Sequence, residues 1–265
     1  MVKSYQRKKE AIVTKDEVTK ARISDRIDQC RDGYYVTSTD FLDSHEQSMA
    51  VGEARSAGGV RVLMYGGYDD AERRMMICIP ADLELSDEDA SDGLAEVLRI
   101  TKPAASRELS HRDYLGSMLA LGIDRRLTGD ILVREDGADI VIMPEIAQFL
   151  MREFSRVGRV EIKTEIVGIK DLMIPEARFE MISGSVSSPR LDSVISAAFR
   201  ISRAEAAEAV RSGLVSVDHV ECLKPDARVA EGMSLVLKGK GKALLEETGE
   251  TSRKGRIRVR IKRFI

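Results

Sequence analysis

The residues best suited to chemistry in this sequence are basic side chains spaced along the stretch 188–242. An arginine guanidinium can bind phosphate through two parallel hydrogen bonds, a lysine binds it as a point charge, and helix N-termini also favour anions. Such a set predicts contact with a polyanion; the alternative is a solvated charged face on a small α/β unit. The candidate residues, with two hydroxyls beside them, are Arg190, Ser202, Arg203, Arg211, Ser212, Lys224, Lys238, Lys240 and Lys242.

Two short helices are predicted to position the first of these residues. Ser188 followed by Pro189 is typical of a helix start, with serine as the N-cap and proline in the first turn. Ser202 and Glu205 have the spacing of a capping box, so a second helix is expected there. Gly213 is expected just past its end, as the C′ glycine. Three short strands should follow, at 214–217, 220–223 and 234–238, with turns at 218–219 and 231–232.

The sequence after Ser252 holds seven basic residues and no acidic one. From 256 to 262 the cations alternate with Ile257, Val259 and Ile261, and a period of two predicts a strand. We expect an extra strand on the preceding small sheet, which would present a basic ladder to phosphates; the alternative is a disordered basic tail. This interpretation adds Arg256, Arg258 and Arg260 to the candidate contacts.

Charge is distributed unevenly along the 265 residues. The net charge is −2, but residues 181–265 hold 16 basic and 10 acidic residues, against 26 and 34 in residues 1–180. A basic module on an acidic body suggests an anionic partner bound at one end. A membrane surface is the weaker alternative, because no basic amphipathic helix with large apolar residues is present. The length suggests two or three domains, and we expect three, at 1–82, 83–180 and 181–265.

The middle stretch predicts a fold of its own. Its elements follow the order β-α-β-β-α-β, with strands near 94–100, 130–133, 139–143 and 160–167 and helices near 110–121 and 144–154. That order is typical of the ferredoxin-like fold, which includes the RNA-recognition-motif shape. The strand 139–143 carries no aromatic residue to stack on bases, so RNA binding by this sheet face is not expected. The overall fold class is therefore α+β and multi-domain.

No catalytic or metal-binding constellation is predicted. His45, His111 and His219 are far apart, with no cysteine or carboxylate at metal-ligand spacing. The glycine pair at 66–67 lacks the lysine and hydroxyl of a phosphate-binding loop. Three scattered cysteines, a polar start and no run of 18 apolar residues favour a cytoplasmic protein without disulfides.

The stretch 190–240 resembles the S4 RNA-binding domain. The similarity is carried by Arg190-Leu191-Asp192, by Ile201 to Ala206, and by Arg211 to Val217. S4 domains occur in ribosomal proteins, tyrosyl-tRNA synthetases, pseudouridine synthases and ribosome-associated factors. The resemblance implies RNA binding through the basic residues named above.

A second resemblance extends over about 40–240. Residues 40–43 with 66–74, and residues 111–123 with Arg125 and 129–131, look like two signatures of the YlmH family. The family resemblance implies an N-terminal domain, a recognition-motif-like domain and an S4 domain. It also implies a bacterial ribosome-associated quality-control factor that binds large subunits still holding peptidyl-tRNA and supports C-terminal alanine tailing.

The expected partners are therefore rRNA of the large ribosomal subunit, tRNA or peptidyl-tRNA, and a tailing factor. The chain is expected to act as a monomer, without a cofactor and without catalysis. Two alternatives stay open at this point: an RNA-modifying enzyme of the pseudouridine-synthase type that carries an S4 module, and a cell-division adaptor.

Overall fold

The computed structural model describes residues 14–175, 179–218, 220–251 and 255–264. The start of the chain, His219, and Arg253 and Lys254 of the basic C-terminal stretch lie outside these ranges. In the N-terminal part (residues 14–80), two helices pack on a three-stranded antiparallel sheet whose strand order is β1-β3-β2. The elements are α1 (Lys15–Gly33), β1 (Thr37–Ser38), α2 (Ser44–Ala57), β2 (Val60–Tyr65) and β3 (Met75–Pro80).

The middle part (residues 87–171) carries a four-stranded antiparallel sheet with two helices on one face. Its helices are α3 (Asp87–Ser91), α4 (His111–Ala120) and α5 (Ala147–Glu153); its strands are β4 (Glu96–Thr101), β5 (Thr128–Val133), β6 (Gly137–Ile142), β7 (Arg156–Val157), β8 (Val160–Glu161) and β9 (Lys163–Val167). Short 3-10 turns occupy Arg125–Leu127, Pro144–Ile146 and Ile169–Asp171.

The order of this sheet, β5-β6-β4-β9, confirms the ferredoxin-like prediction. The helix predicted at 144–154 begins as a 3-10 turn and becomes α-helical only at Ala147. The strand predicted at 160–167 is interrupted, because residues 160–161 pair with 156–157 in a separate hairpin and only 163–167 join the sheet. Gly137 is required where β6 meets β4, because a Cβ there would lie 1.8 Å from the Ile100 carbonyl oxygen.

The C-terminal module (residues 179–264) places two helices against a six-stranded antiparallel sheet of order β10-β15-β14-β13-β11-β12. Its elements are β10 (Phe179–Val186), α6 (Leu191–Phe199), α7 (Arg203–Arg211), β11 (Val215–Val217), β12 (Val220–Glu221), β13 (Ser234–Leu237), β14 (Gly241–Thr251) and β15 (Ile257–Phe264). The apolar faces of both helices and the inward residues of the sheet form one core, which includes Leu191, Ile195, Val210, Leu235 and Ile261.

The basic C-terminal stretch forms a strand, as predicted, over residues 257–264. β15 lies between β10 and β14, with Val259 opposite Gly184 and Ile261 opposite Ile182. Val259 and Ile261 are buried, while Arg258 and Arg260 are exposed. The alternation of apolar and basic residues therefore places one set in the core and the other on the outer face.

The N-terminal and middle parts share a hydrophobic core. Phe41, Met75, Ile77 and Ile79 from the first pack together with Val141 from the second. This core covers the sheet face opposite α4 and α5, and Val97, Asp139 and Val141 on that face have no exposed surface. Within the described ranges, no helix is long and apolar enough to cross a membrane.

Candidate nucleic-acid interface

Two of the predicted arginines meet at one carboxylate in the C-terminal module. Asp192 lies in the first turn of α6 and is 5% exposed. Arg190 donates from Nε to Asp192 Oδ1 at 3.3 Å and from Nη2 to Oδ2 at 3.5 Å. Arg203, the first residue of α7, donates from Nε to Oδ2 at 3.1 Å and from Nη2 to Oδ1 at 3.4 Å. We call these three residues the arginine clamp.

The clamp is buried at its carboxylate and open at its cations. The side chains of Arg190 and Arg203 are 41% and 51% exposed, whereas that of Asp192 is 7% exposed. Burial acts to raise the pKa of Asp192, but the hydrogen bonds from Arg203 and Arg190 outweigh it, so the pKa lies below its ordinary value. At neutral pH the group therefore carries two positive charges against one negative charge, and each guanidinium has N–H donors that Asp192 does not use.

The first N–H groups of α6 donate to backbone carbonyl oxygens and not to a capping side chain. Leu191 and Asp192 donate their backbone N–H groups to the carbonyl oxygens of Ala227, at 2.8 Å, and Pro225, at 2.9 Å. The helix begins at Leu191 with Arg190 as N-cap, so the predicted start at Ser188 and Pro189 is wrong. Because the loop 224–229 supplies the missing acceptors, this helix end has no free N–H groups for a phosphate.

The same loop brings in a cation that was not predicted. Arg228 pairs with Arg190 in an isolated antiparallel bridge, so its backbone lies directly beside the clamp. Its side chain is exposed and makes no ion pair with any residue that the structure describes. Lys224, at the start of the loop, is also exposed. No local spacing pointed to Arg228, because the bridge that places it joins residues 38 positions apart.

The remaining candidates on α7 are occupied within the helix. Ser202 accepts a hydrogen bond from the N–H of Glu205 at 3.1 Å, and Glu205 accepts one from the N–H of Ser202 at 2.8 Å, which confirms the predicted capping box. Arg211 and Ser212 lie at the other end of α7, and both donate to Glu208 at 3.5 Å. The structure therefore does not bring Arg211 or Ser212 into the clamp.

The lysines of the β13–β14 hairpin divide into two groups. Lys238 and Lys240 are exposed around the turn. Lys242 is only 17% exposed; its ammonium lies 3.8 Å from Asp70 and 5.5 Å from the centre of the Phe264 ring. Lys242 thus helps to hold the C-terminal module against the N-terminal part.

Acidic residues neutralise much of the basic ladder on β15. Arg260 lies 3.2 Å from both Glu246 and Glu247, and Lys262 lies 2.6 Å from Glu246. Arg256 donates to the hydroxyl of Ser185 at 3.0 Å. Arg258 is exposed and has no ion pair among the described residues.

The two signature stretches of the N-terminal and middle parts meet at an internal junction. Asp130 accepts hydrogen bonds from the Tyr68 hydroxyl at 2.8 Å and from the N–H groups of Glu72 and Arg73 at 2.7 and 3.1 Å. The Arg73 guanidinium donates to the carbonyl oxygens of Phe41, Arg125 and Thr128 at 2.9–3.2 Å. These contacts place the signature residues where they join two sheets.

The two histidines in the described part of the chain, His45 and His111, lie in separate environments. His45 lies 3.3 Å from Asp16 and 3.4 Å from Glu221. The hydrogen bond with Asp16 raises the pKa of His45 against partial desolvation. Burial lowers the pKa of His111, with Arg125 as the second cause. Among the described residues, no set of three potential ligands that could hold a metal ion is found.

Comparison with known proteins assigns both modules. Residues 90–171 match the family model YlmH_RBD, the RNA-binding domain proposed for YlmH, and residues 189–235 match the S4 domain. The chain is 30% identical over 233 residues to the ribosome-associated protein quality control protein P2 of Bacillus subtilis, covering 87% of this chain and 88% of the relative. A solved structure, cell division protein ylmH from Streptococcus pneumoniae, covers 64% of this chain and all of its own, at 22% identity and a TM-score of 0.49. With similarity along nearly its whole length and both domain models in place, the chain belongs to the YlmH family of S4-domain proteins.

Proposed function

We propose that this chain is an RNA-binding factor that associates with the large ribosomal subunit. It recognises rRNA together with peptidyl-tRNA on stalled, split subunits and supports ribosome-associated quality control, including C-terminal alanine tailing. The observation that carries the proposal is the arginine clamp, which exposes two guanidinium groups within the S4 match. The relative from Bacillus subtilis is named for ribosome-associated quality control, which supports the ribosome as the partner.

The clamp suits the phosphate backbone of RNA. Its cations are guanidinium groups, which match phosphate oxygens two at a time, and Arg228 and Lys224 extend the cluster. Contacts of this type supply affinity without reading bases, so selectivity must come from the shape of the RNA. A large subunit that still holds a tRNA offers two RNA backbones close together, which is one such shape.

The middle part is proposed to orient the S4 module and not to bind RNA by its sheet. The sheet face opposite the helices is buried under Phe41 and Met75, so it has no surface for bases. Lys242 and His45 then connect the C-terminal module to the N-terminal part, through Asp70 and Glu221. These contacts join β12 and β14 of the module to the N-terminal part.

Binding without catalysis is the function that we propose. Arg190-Leu191-Asp192 has a faint likeness to the aspartate motif of pseudouridine synthases. Here the carboxylate of Asp192 is 7% exposed and holds two arginines. A nucleophile or general base would need a side chain open to the substrate, and this one is engaged in an ion-pair network.

A sucrose gradient of lysate enriched in stalled ribosomes tests the proposal. We expect the protein to sediment with free large subunits more than with small subunits or intact ribosomes. Puromycin release followed by tRNA loss should weaken the association, and high salt should abolish it because exposed charge contacts are screened. If the protein stays at the top of the gradient or follows the small subunit, the proposed function fails and the adaptor alternative replaces it.

A further inference from the structure

We infer that Asp192 is a positioning residue that holds Arg190 and Arg203 side by side, so that with Arg228 they form a phosphate-binding site before RNA arrives. This inference rests on the proposed RNA-binding function and deepens it. It concerns an acidic residue inside a site that binds an anion.

The geometry of the clamp leaves both arginines able to bind. Each guanidinium uses Nε and Nη2 to contact Asp192, at 3.1–3.5 Å, which are two of its five N–H donors. The other donors remain for a phosphate. The two arginine side chains are 41% and 51% exposed, so both reach solvent.

Holding two arginines in place lowers the entropic cost of binding a phosphate. A free arginine side chain loses rotamer entropy when it contacts a ligand, and a preorganised one has already lost it. Asp192 also reduces the mutual repulsion of the two cations, because its carboxylate lies between them. Arg228 is paired with Arg190 through a backbone bridge, and residues paired in this way project their side chains from the same face.

The carboxylate of Asp192 is not needed to cap α6. The first N–H groups of this helix already donate to Ala227 and Pro225. Besides the two arginines, its only hydrogen-bond partner in the described part of the chain is the Ser193 hydroxyl, at 3.2 Å. The hydrogen bonds of Asp192 therefore indicate that its carboxylate holds the arginines and does not cap the helix.

The test uses Asp192→Asn in the full-length protein, with Asp226→Asn as the matched control. Asp226 is exposed in the loop 224–229 and has no ion pair with a described residue, so both changes remove one negative charge near the same surface. Long-range electrostatics alone predicts tighter RNA binding for both. Positioning predicts that Asp192→Asn binds about tenfold more weakly, as expected from ordering two side chains again on binding.

Affinity is measured on purified bacterial large ribosomal subunits and on a labelled RNA stem-loop, across a salt series, with melting curves for each variant. We expect the salt dependence of Asp192→Asn to stay as in wild type, because the arginines still reach phosphate. Arg228→Ala should lower the salt slope by about one, while Arg159→Ala, an exposed arginine of the middle part, should leave it unchanged. Equal or tighter binding by folded Asp192→Asn would overturn the inference.

A second pair of variants keeps the test decisive if Asp192→Asn does not fold. Arg190→Lys/Arg203→Lys preserves charge but loses the forked geometry, and we expect binding about tenfold weaker. In an Arg190→Ala/Arg203→Ala background, Asp192→Asn should cause no further loss. Unchanged affinity in the lysine pair would also overturn the inference. If the wild-type protein itself does not bind RNA, the proposed function is refuted instead.

Discussion

Asp139 and Asp192 each hold two arginines, and the two centres differ in how far those arginines are exposed to solvent. Asp139, on β6, accepts hydrogen bonds from Arg99 at 2.8 and 3.1 Å, from Arg134, and from the N–H of Met173 at 2.9 Å. There the aspartate is fully buried and the arginine side chains are 13% and 12% exposed. In the clamp around Asp192 the arginines are 41% and 51% exposed. The same ion-pair chemistry thus closes one site and leaves the other open.

Exposure of the cations therefore separates a structural centre from the centre that we propose binds RNA. Around Asp139 both arginine side chains are nearly buried, and they also contact the Asp171 carbonyl oxygen and the Asp136 carboxylate, so both are engaged within the protein. Near Asp192 the backbone of a third arginine, Arg228, pairs with that of Arg190. Changes at the first centre should lower stability, whereas changes at the second should lower affinity.

Asp139→Ala should give the largest effect. Loss of this carboxylate leaves two nearly buried cations without the anion that they share, at a cost of about 3–5 kcal/mol and a melting temperature lower by about 10 °C. Thermal melts measure the loss, with Asp82→Ala as the control, because Asp82 is exposed and has no ion pair with a described residue. A melting curve like that of wild type would remove the distinction between the two centres.

The loss of stability in Asp139→Ala should depend on pH. Burial acts to raise the pKa of Asp139, but hydrogen bonds from Arg99, the Met173 N–H and Arg134 lower it overall. A carboxylate with a depressed folded pKa contributes its stability above the unfolded value, about 3.9, and loses it as pH falls through the folded pKa. The difference in free energy of unfolding between wild type and Asp139→Ala should therefore become smaller only below about pH 4.

Arg190→Ala/Arg203→Ala should give the next largest effect, on binding. Two charge-assisted contacts removed together should weaken association with large subunits about 100-fold and lower the salt slope by about two. Because the change strips the Asp192 carboxylate of its cations, a melting curve must show that the module stays folded. Unchanged affinity in the folded variant would mean that the open clamp is not a binding site.

Arg260→Ala should give the smallest effect. Glu246 and Glu247 already pair with this arginine, so little of its charge is available to phosphate. We expect affinity for large subunits to change less than about twofold, consistent with the small contribution of exposed ion pairs. A loss comparable to that of the clamp variant would show that β15, and not only the helix face, contacts RNA.

Features set by local spacing were predictable from the sequence. The capping box of Ser202 and Glu205, the strand 257–264 and the order of elements in the middle part all depend on neighbours a few residues away. Each corresponds to a pattern with one dominant local conformation, so the prediction and the structure agree.

Features set by contacts between distant segments were not predictable. α6 starts at Leu191 and not at the predicted Ser188, because the carbonyl oxygens of Pro225 and Ala227 accept hydrogen bonds from its first N–H groups. Packing between distant segments places Lys242 near Asp70 and Arg228 beside Arg190. Neither contact can be predicted from the spacing of residues along the sequence. The cover over the sheet of the middle part likewise depends on how two parts of the chain dock.

The position of β15 in its sheet has a consequence for synthesis. β15 is the last described strand along the chain, yet it lies between β10 and β14, and β10 is the first strand of the module. Until residues 257–264 leave the ribosome, β10 and β14 each present an unpaired edge. The helices and the hairpins can form earlier, but the sheet closes only when this segment is released. Translation must therefore proceed past residue 264 before the C-terminal module acquires its full sheet.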